Sequence, residues 1–277
     1  MAVVNEGDLK RLRDFIALKT GIYIDDSKLE KIYAKKIGEF LKQSRYAGDF
    51  NAFYSAMVFE KDSKTLQEFI NFITVNETYF FRESYQFDTL VEHILPELDG
   101  LREPGESINI LSAPCSSGEE LYSIAIYIME KSSLIKKRDF SLVGIDIDSS
   151  MIEKAKRGVY RHRSVAKIPQ DILNRYFKKV SNDSYEIEKN LRESLSFEIL
   201  NVLDIYSLRR LGSFDVVFSR NMLIYFDDKK RREVISSFYS ILKPNGYLLL
   251  GHAEKVPDDM SLFERIKLGE SIVYRKR

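Results

Sequence analysis

Apolar side chains in the first part of the chain recur every three or four residues, which is the period of an amphipathic α-helix. The clearest run contains Leu9, Leu12, Phe15, Ile16 and Leu18. Gly21 follows as a stop signal, and Ser27 with Glu30 has the spacing of a capping box that begins a second helix. Asp49 and Ser63 precede two further apolar stretches of helical period. The pattern predicts a helical domain over residues 1–75.

A different pattern follows, in which short apolar runs alternate with helical stretches. Buried strands are predicted at residues 108–111, 141–146 and 214–218. Strands that alternate with helices favour a doubly wound α/β sheet. Between the second and third strands, two alternating runs at 176–180 and 185–188 flank a polar turn, and they predict a hairpin.

Capping residues predict where two helices of this sheet begin and end. Asp148 is expected to cap the helix after the second strand. Asp227 or Asp228 is expected to cap the helix after the third strand, which is expected to run to about Leu242, with the sequence Pro-Asn-Gly at 244–246 as its stop signal.

The loop after the first strand has the placement of a nucleotide-binding turn between a strand and a helix. Only Gly118 remains of the usual glycines, and small residues such as Ser112 and Ala113 occupy the other positions. Glu119 and Glu120 stand at the expected helix start, where carboxylates suit the helix dipole and repel an anion. A ligand with an adenosine and a cationic amino-acid part therefore fits better than NAD, and a dehydrogenase is the weakest candidate. Both carboxylates are also consistent with plain stabilisation of the first helical turn.

Polar residues also follow the second and third strands. Asp146 closes the second strand, where a carboxylate can accept hydrogen bonds from both ribose hydroxyls of a nucleoside. Asn221 and Tyr225 follow the third strand. Since ligands of open α/β sheets bind outside the carboxyl ends of the strands, these residues are expected to face the same crevice. A tyrosine packed on the sheet edge with its hydroxyl in water is the alternative for Tyr225.

Residues 76–82, Asn-Glu-Thr-Tyr-Phe-Phe-Arg, place three polar side chains around an aromatic wedge. This strip is too polar for a core segment and too aromatic for a solvated loop. It is therefore interpreted as the lining of a pocket, with Asn76, Thr78 and Arg82 directed into it.

Taken in order, these segments resemble the chemotaxis receptor methyltransferases, the CheR family. The resemblance rests on the Asn-x-Thr-x-Phe-Phe-Arg strip, the loop Ser-Ala-x-x-Ser-Ser-Gly-Glu-Glu at 112–120, the strand end at Asp146 and Ser-Arg-Asn-x-Leu-Ile-Tyr-Phe at 219–226. The tetrapeptide Gly-His-Ala-Glu at 251–254 also fits. Several spaced motifs in the right order are far more specific than any one of them.

The resemblance implies an S-adenosylmethionine-dependent protein-glutamate O-methyltransferase that forms methyl esters on the signalling helices of chemoreceptors. It implies a Rossmann-like methyltransferase domain over residues 76–277, an N-terminal helical domain and a small β subdomain inserted at about 160–195. In some family members this subdomain binds a receptor tail peptide as an added strand. A hairpin that only covers the ligand crevice is the alternative reading of the insert.

The resemblance also implies the site residues. Arg82 would orient the incoming carboxylate, and Tyr225 would hold it from the other side by a hydrogen bond. For the amino group of the cofactor, Glu119 is the first choice and Glu120 the second. The residues expected to contact S-adenosylmethionine, or its product S-adenosylhomocysteine, are Asn76, Thr78, Arg82, Ala113, Glu119, Glu120, Asp146, Asn201, Val202, Arg220 and Asn221.

The 277-residue chain is nearly neutral, with a formal charge of +1, but one segment is basic. Lys28, Lys31, Lys35 and Lys42 share one face of a predicted helix. A glutamate-rich receptor segment would be attracted to such a face. An ordinary solvated helix surface is the alternative, and the balanced charge argues against a nucleic-acid partner.

The single cysteine excludes an internal disulfide and suits a reducing compartment. Three scattered histidines and one cysteine do not have the spacing of metal ligands. No signal peptide and no apolar run of about eighteen residues is visible, so a cytoplasmic protein without membrane insertion is expected.

Two other functions remain open. A methyltransferase of the same fold acting on another protein or a small carboxylic acid has the same cofactor motifs. A non-catalytic module that binds the cofactor or its product is the other.

Overall fold

The computed structural model describes residues 4–25 and 33–277, which form two compact units. The first unit contains the described residues up to Val75 together with Ile224–Arg231. The second unit contains Asn76–Leu223 and Arg232–Arg277. The domain bounds of 1–75 and 76–277 stay predictions, and the contact pattern adds a short segment from the second half of the chain to the first unit.

The first unit is helical in its described part. Its helices are α1 (Glu6–Thr20), α2 (Ala34–Gln43), α3 (Phe50–Phe59) and α4 (Lys64–Ile73). Gly21 ends α1 with a left-handed φ of 77°, and the Asp49 side chain accepts a hydrogen bond from Ala52 N at the start of α3, as predicted. The predicted capping box of Ser27 and Glu30 lies outside the described residues.

Three phenylalanines from α2, α3 and α4 form the centre of this unit. The ring centroids of Phe40, Phe53 and Phe69 are 5.1 to 5.3 Å apart. Aromatic pairs at tilted or edge-on angles stabilise a core beyond the area that they bury. The segment Ile224–Arg231 joins the unit through Tyr23 N, which donates to Tyr225 O at 2.8 Å.

Ten strands are present in the second unit, all of whose residues are described. They are β1 (Ile108–Ser112), β2 (Phe140–Asp146), β3 (Val159–Arg161), β4 (Phe177–Ser181), β5 (Ser184–Ile187), β6 (Ser196–Ile199), β7 (Phe214–Ser219), β8 (Leu242–Leu250), β9 (Phe263–Leu268) and β10 (Ser271–Lys276). The main sheet has the order β6-β2-β1-β7-β8-β10-β9. Its neighbours from β6 to β8 are parallel, whereas β10 is antiparallel to both β8 and β9. The predicted doubly wound α/β sheet is confirmed.

Helices connect these strands. They are α5 (Tyr85–Thr89), a π-helical turn (Leu90–Ile94), α6 (Leu95–Leu101), α7 (Glu119–Lys131), α8 (Ser149–Arg157), α9 (His162–Val165), α10 (Gln170–Tyr176), α11 (Lys189–Glu193), α12 (Ile205–Arg210) and α13 (Asp228–Ile241), with 3-10 turns at Ser133–Lys136 and Leu223–Tyr225. Asp148 caps α8, as predicted, by accepting from Ser150 N and Met151 N. Asp227 caps α13, since its carboxylate accepts from Lys230 N at 2.7 Å.

The predicted end of α13 near Leu242 is confirmed, since the helix ends at Ile241. Residues 244–246, expected to act as the stop signal, lie just beyond the helix but within β8, which begins at Leu242. The partners of Phe214 and Val216 on β8 are Leu242 and Tyr247, so the residues between these two pairs form a bulge in which Asn245 has a left-handed φ of 59°.

A small three-stranded sheet of order β3-β5-β4 is inserted between β2 and β6. The predicted hairpin is confirmed as β4 and β5, and β3 pairs with β5 on the other side. Across the described residues, no helix is both long and apolar enough for a membrane span.

Candidate active site

The carboxyl ends of β2, β1 and β7 lie side by side, and the loop after β1 is attached to both neighbouring strands. Ala113 N donates to Phe218 O at 2.8 Å, and Cys115 N donates to Ile145 O at 2.8 Å. The loop therefore has a fixed path between two strand ends, where open α/β sheets bind their ligands.

Gly118 is the residue that lets this loop enter α7. Its φ is +91°, which side chains rarely tolerate. A Cβ atom there would lie 2.9 Å from the Cβ of Ala155 and 3.1 Å from the ring of Tyr122. The one glycine that remains in this loop is thus needed for both backbone conformation and packing.

Asp146 lies at the end of β2 and is only 5% exposed. Its carboxylate accepts from Ser116 N at 2.8 Å and from Asp148 N at 2.9 Å. Burial nevertheless raises the pKa of the Asp146 carboxyl to about 6. The neighbouring Asp148 carboxylate accepts from Asn76 Nδ2 at 2.8 Å, so the strip at 76–82 begins beside this strand end.

The two glutamates at the start of α7 have different surroundings. Glu119 is 1% exposed, and its two carboxylate oxygens accept from Ser117 Oγ at 2.7 Å and Ser164 Oγ at 2.6 Å. Glu120 accepts from Ser112 Oγ at 2.8 Å and from the guanidinium of Arg220 at 3.1 Å. Burial raises the pKa of the Glu120 carboxyl. Glu119 is thus held by hydroxyl groups, whereas Glu120 is paired with a cation.

Arg220 connects α7 with the strip. Its guanidinium, 3% exposed, donates to the backbone oxygen of Arg82 at 2.6 Å and lies 3.3 Å from the carboxylate of Glu83. Because the same group also bonds Glu120, it braces two chain segments that approach each other only in the fold. The Oε2 atom of Glu83 and the Nε atom of Arg220 are buried and have no hydrogen-bond partner in the described part of the chain.

The aromatic residues of the strip anchor it to the second unit. Phe80 is fully buried, and its ring packs edge-on against Tyr160 and Phe177 with centroids 4.8 and 5.0 Å away. Phe80 N also donates to Ser164 O at 3.0 Å. Phe81 packs edge-on against Tyr127 at 5.0 Å.

The polar residues of the strip are half-buried. The Arg82 guanidinium donates to Glu77 O at 2.9 Å and lies 5.8 Å from the ring centre of Tyr79. Asn76 and Thr78 have intermediate exposure as well. These groups are therefore accessible in part, unlike Phe80.

Two further predicted positions lie at the same sheet edge. Leu200 N donates to Asp146 O at 2.9 Å, which places Asn201 and Val202 immediately after a residue bonded to the β2 end. Asn221 follows β7 in a left-handed conformation with φ of 59°, and its N–H donates to the Glu254 carboxylate at 2.8 Å.

The structure thus brings predicted positions after β1, β2, β6 and β7 to one edge of the sheet, where Asn76 bonds Asp148 and the backbone of Arg82 bonds Arg220. Tyr225 belongs instead to the first unit, where its backbone oxygen accepts from Tyr23 N.

Sequence reasoning missed three residues that support this site. Glu83 faces Arg220, Glu254 bonds the backbone of Asn221, and Ser164 bonds Glu119. A signal existed for Glu254, which closes the Gly-His-Ala-Glu motif just beyond β8. None existed for Ser164, whose partner is 45 positions away in the sequence.

Comparison with known proteins agrees with this geometry. Residues 76–272 match the family described as CheR methyltransferase, SAM binding domain. The chain belongs to the CheR methyltransferase family. A "Chemotaxis protein methyltransferase 2" of Vibrio cholerae is 38% identical over 99% of this chain and 94% of its own length. A "Chemotaxis protein methyltransferase" of Campylobacter jejuni is 35% identical over 96% of this chain and 95% of its own length. A protein of the same name from Escherichia coli is 31% identical over 91% of this chain and 85% of its own length.

The predicted family, enzyme class and cofactor are confirmed, and this CheR family member is an S-adenosylmethionine-dependent methyltransferase. The residues present fit that cofactor. S-Adenosylmethionine carries a sulfonium and an ammonium group, and buried carboxylates outnumber the single buried guanidinium around the loop after β1. Opposite charges in a desolvated site attract strongly.

Proposed function

We propose that this CheR family member methylates glutamate side chains on the signalling helices of chemoreceptors. Near-full-length similarity to several proteins named chemotaxis protein methyltransferases carries the proposal. The products are a glutamate methyl ester and S-adenosylhomocysteine.

The reaction needs no catalytic base. A glutamate acceptor, with a reference pKa of about 4.3, is already ionised at neutral pH. The bound cofactor supplies a methyl group on a positively charged sulfur, which keeps the electron pair of the broken C–S bond as the acceptor oxygen forms the ester. The protein contributes alignment, which is worth roughly 7 to 11 kcal/mol for a well-held pair of reactants.

In this proposal Arg82 orients the acceptor carboxylate and Tyr225 holds it by a hydrogen bond. Arg82 suits the role because its guanidinium is partly accessible while its backbone oxygen is fixed by Arg220. Among the described residues, its side chain is engaged by a backbone oxygen and an aromatic ring, so an incoming carboxylate displaces no ion pair within that part of the chain.

The proposed cofactor ligands are those of the sequence prediction. Asp146 takes the ribose, Glu119 or, as second choice, Glu120 takes the amino group, and the adenosine and methionine portions contact Asn201, Val202, Arg220 and Asn221. The remaining proposed cofactor ligands are Asn76, Thr78, Arg82 and Ala113.

The glutamates form a matched pair for a test. Glu119, which accepts from two neutral serine hydroxyls, keeps the first place as the partner of the amino group, and Glu120, which already pairs with Arg220, the second. Glu119→Gln should weaken binding of S-adenosylmethionine in calorimetry by about tenfold, the effect of losing one charged hydrogen bond. The reverse ranking of Glu119→Gln and Glu120→Gln would assign the amino group to Glu120.

Transfer itself is tested with labelled cofactor and purified chemoreceptor signalling domains. Base-labile label on the receptor supports glutamate methyl esters; label on another added protein or on a small carboxylic acid alone would assign a different acceptor. Arg82→Ala should keep cofactor affinity within a few fold and lose transfer. Arg163→Ala, a change at an exposed arginine of the same unit, is the matched control. Unchanged turnover in Arg82→Ala would refute the assigned role, and binding without transfer to any acceptor would favour a non-catalytic module.

Two contacts with the receptor are part of the proposal. Lys35 and Lys42 are exposed on α2, opposite the buried Ile37 and Leu41, which suits attraction of an acidic receptor helix. Lys28 and Lys31 lie outside the described residues. Reversal of both charges, Lys35→Glu with Lys42→Glu, should raise the KM for the receptor at low salt and leave cofactor affinity unchanged.

The second contact is a receptor tail peptide added to the small sheet. β4 is an edge strand whose residues after Phe177 are exposed, and such edges accept an added strand. Lys179→Pro should abolish binding of a tail peptide and spare methylation of a receptor without a tail. Equal peptide binding by wild type and variant would exclude this edge.

A further inference from the structure

One carboxylate holds together the two loops that follow β7 and β8. The Oε2 atom of Glu254 accepts from Asn221 N at 2.8 Å and from Gly251 N at 2.9 Å. β7 and β8 are parallel neighbours, so their following residues lie at the same sheet edge. Hydrogen bonds to an ionised acceptor are stronger than those between neutral groups.

The two backbone groups that Glu254 binds are in demanding positions. Asn221 has φ of +59°, a left-handed conformation that is disfavoured for residues with a side chain, although asparagine tolerates it better than most. Gly251 leaves no room for a side chain, because a Cβ atom would lie 2.8 Å from Glu254 Oε2 and 3.0 Å from Asn221 N. The same Cβ would lie 3.1 Å from the side-chain amide of Asn221.

We infer that Glu254 is a positioning residue, which fixes the backbone of Asn221 so that its side chain is presented to the cofactor. The inference rests on the proposed function, in which Asn221 is a cofactor ligand. Site residues keep their geometry when a second set of side chains restrains them. Here the restraint acts on the main chain. The N–H groups of Asn221 and Gly251 donate to the same oxygen of Glu254, and Gly251 has no side chain to keep the two loops apart.

Three replacements of Glu254 separate the acceptor from its charge. Glu254→Gln keeps a carbonyl oxygen of the same reach, so affinity for S-adenosylmethionine in calorimetry should stay within about threefold of wild type. Glu254→Ala removes the acceptor, and Glu254→Asp is one methylene too short. Both should weaken affinity by about tenfold or more. Asp258→Ala, four residues on and with an 83% exposed side chain, is the control that should change nothing.

Gly251→Ala disturbs the same contact while the Glu254 side chain itself is kept, and it should weaken cofactor affinity as Glu254→Ala does. Gly251→Ala, together with Glu254→Gln and Glu254→Asp, tests the positioning role even if Glu254→Ala does not fold. Wild-type affinity in Glu254→Asp and Gly251→Ala, or equal damage by Gln and Ala, overturns the inference.

Asn221→Ala distinguishes the inference from the function on which it rests. Loss of cofactor affinity in this variant supports the ligand role. Wild-type affinity in Asn221→Ala would refute both the ligand role and the positioning inference. The proposed methyl transfer to receptors would still stand, because it is tested separately with labelled cofactor. If the wild type binds the cofactor in calorimetry but does not methylate a receptor, only the proposed acceptor is refuted.

Discussion

Asp146 offers a test in which one buried charge controls two measurable properties in opposite directions. The carboxylate is almost fully buried, and two backbone N–H groups bond it. Burial exceeds the effect of these bonds and raises the pKa of the carboxyl from 3.8 to about 6. Asp146→Asn replaces this titrating group by a neutral one of the same size.

The pKa gives the magnitude for stability. At about 1.4 kcal/mol for each pH unit, a rise from 3.8 to about 6 corresponds to roughly 3 kcal/mol. Because the folded-state pKa is raised, this contribution is fully present below pH 3.8 and is lost as the pH rises through about 6. We therefore expect the difference in free energy of unfolding between Asp146→Asn and wild type, measured in urea, to change in favour of the variant by roughly 3 kcal/mol between pH 4 and pH 7.

Cofactor binding should respond with the opposite sign. The ionised carboxylate accepts stronger hydrogen bonds from ribose hydroxyls than the protonated one. Calorimetry with S-adenosylhomocysteine should thus show affinity falling below pH of about 6, by up to tenfold for each pH unit. Asp146→Asn should bind weakly at pH 8 and show a flat profile. A variant that retains the pH dependence of wild type would refute the assignment of this titration to Asp146.

Three substitutions test other parts of the second unit. Arg102→Ala leaves the fully buried Asp215 with Lys243 as its one remaining charged partner among the described residues, so the free energy of unfolding should fall by about 3 kcal/mol in urea, with cofactor affinity unchanged. A loss below about 1 kcal/mol would contradict a dominant role for Arg102. Phe80→Ala should cost about 3 to 5 kcal/mol in the same assay, whereas Phe80→Leu should cost much less, since it refills most of the cavity. Gly118→Ala combines a left-handed φ with a 2.9 Å contact, so it should lower both the thermal midpoint and cofactor affinity, and wild-type values for both would refute the packing argument.

Local sequence signals were sufficient for the elements that short-range chemistry determines. Gly21 and Asp148 end and begin helices through contacts with residues only a few positions away. The strands β1, β2 and β7 are buried between neighbouring strands, so their apolar runs are visible without knowledge of the fold. Ordered motifs then identified the family and its cofactor.

The contacts that build the site are long-range, and no local pattern encodes them. Asn76 bonds Asp148 across 72 positions, and Arg220 bonds the backbone of Arg82 across 138. The strand that contains residues 244–246 has the same origin. Local signals place the end of α13 correctly, but only the pairing of β8 with β7 makes Pro-Asn-Gly part of a strand, through a bulge.

Acidic side chains outnumber basic ones around Arg220. Glu83 and Glu120 both lie within ion-pair distance of one guanidinium, and all three side chains are largely buried. The two carboxylates share this one cation, and burial raises the pKa of the Glu120 carboxyl although Arg220 acts in the opposite direction. An unbalanced buried charge is costly unless a ligand compensates it. In the proposed site S-adenosylmethionine brings positive charge and S-adenosylhomocysteine is neutral overall, so we expect transfer of the methyl group to weaken the electrostatic attraction that favours the cofactor over its product.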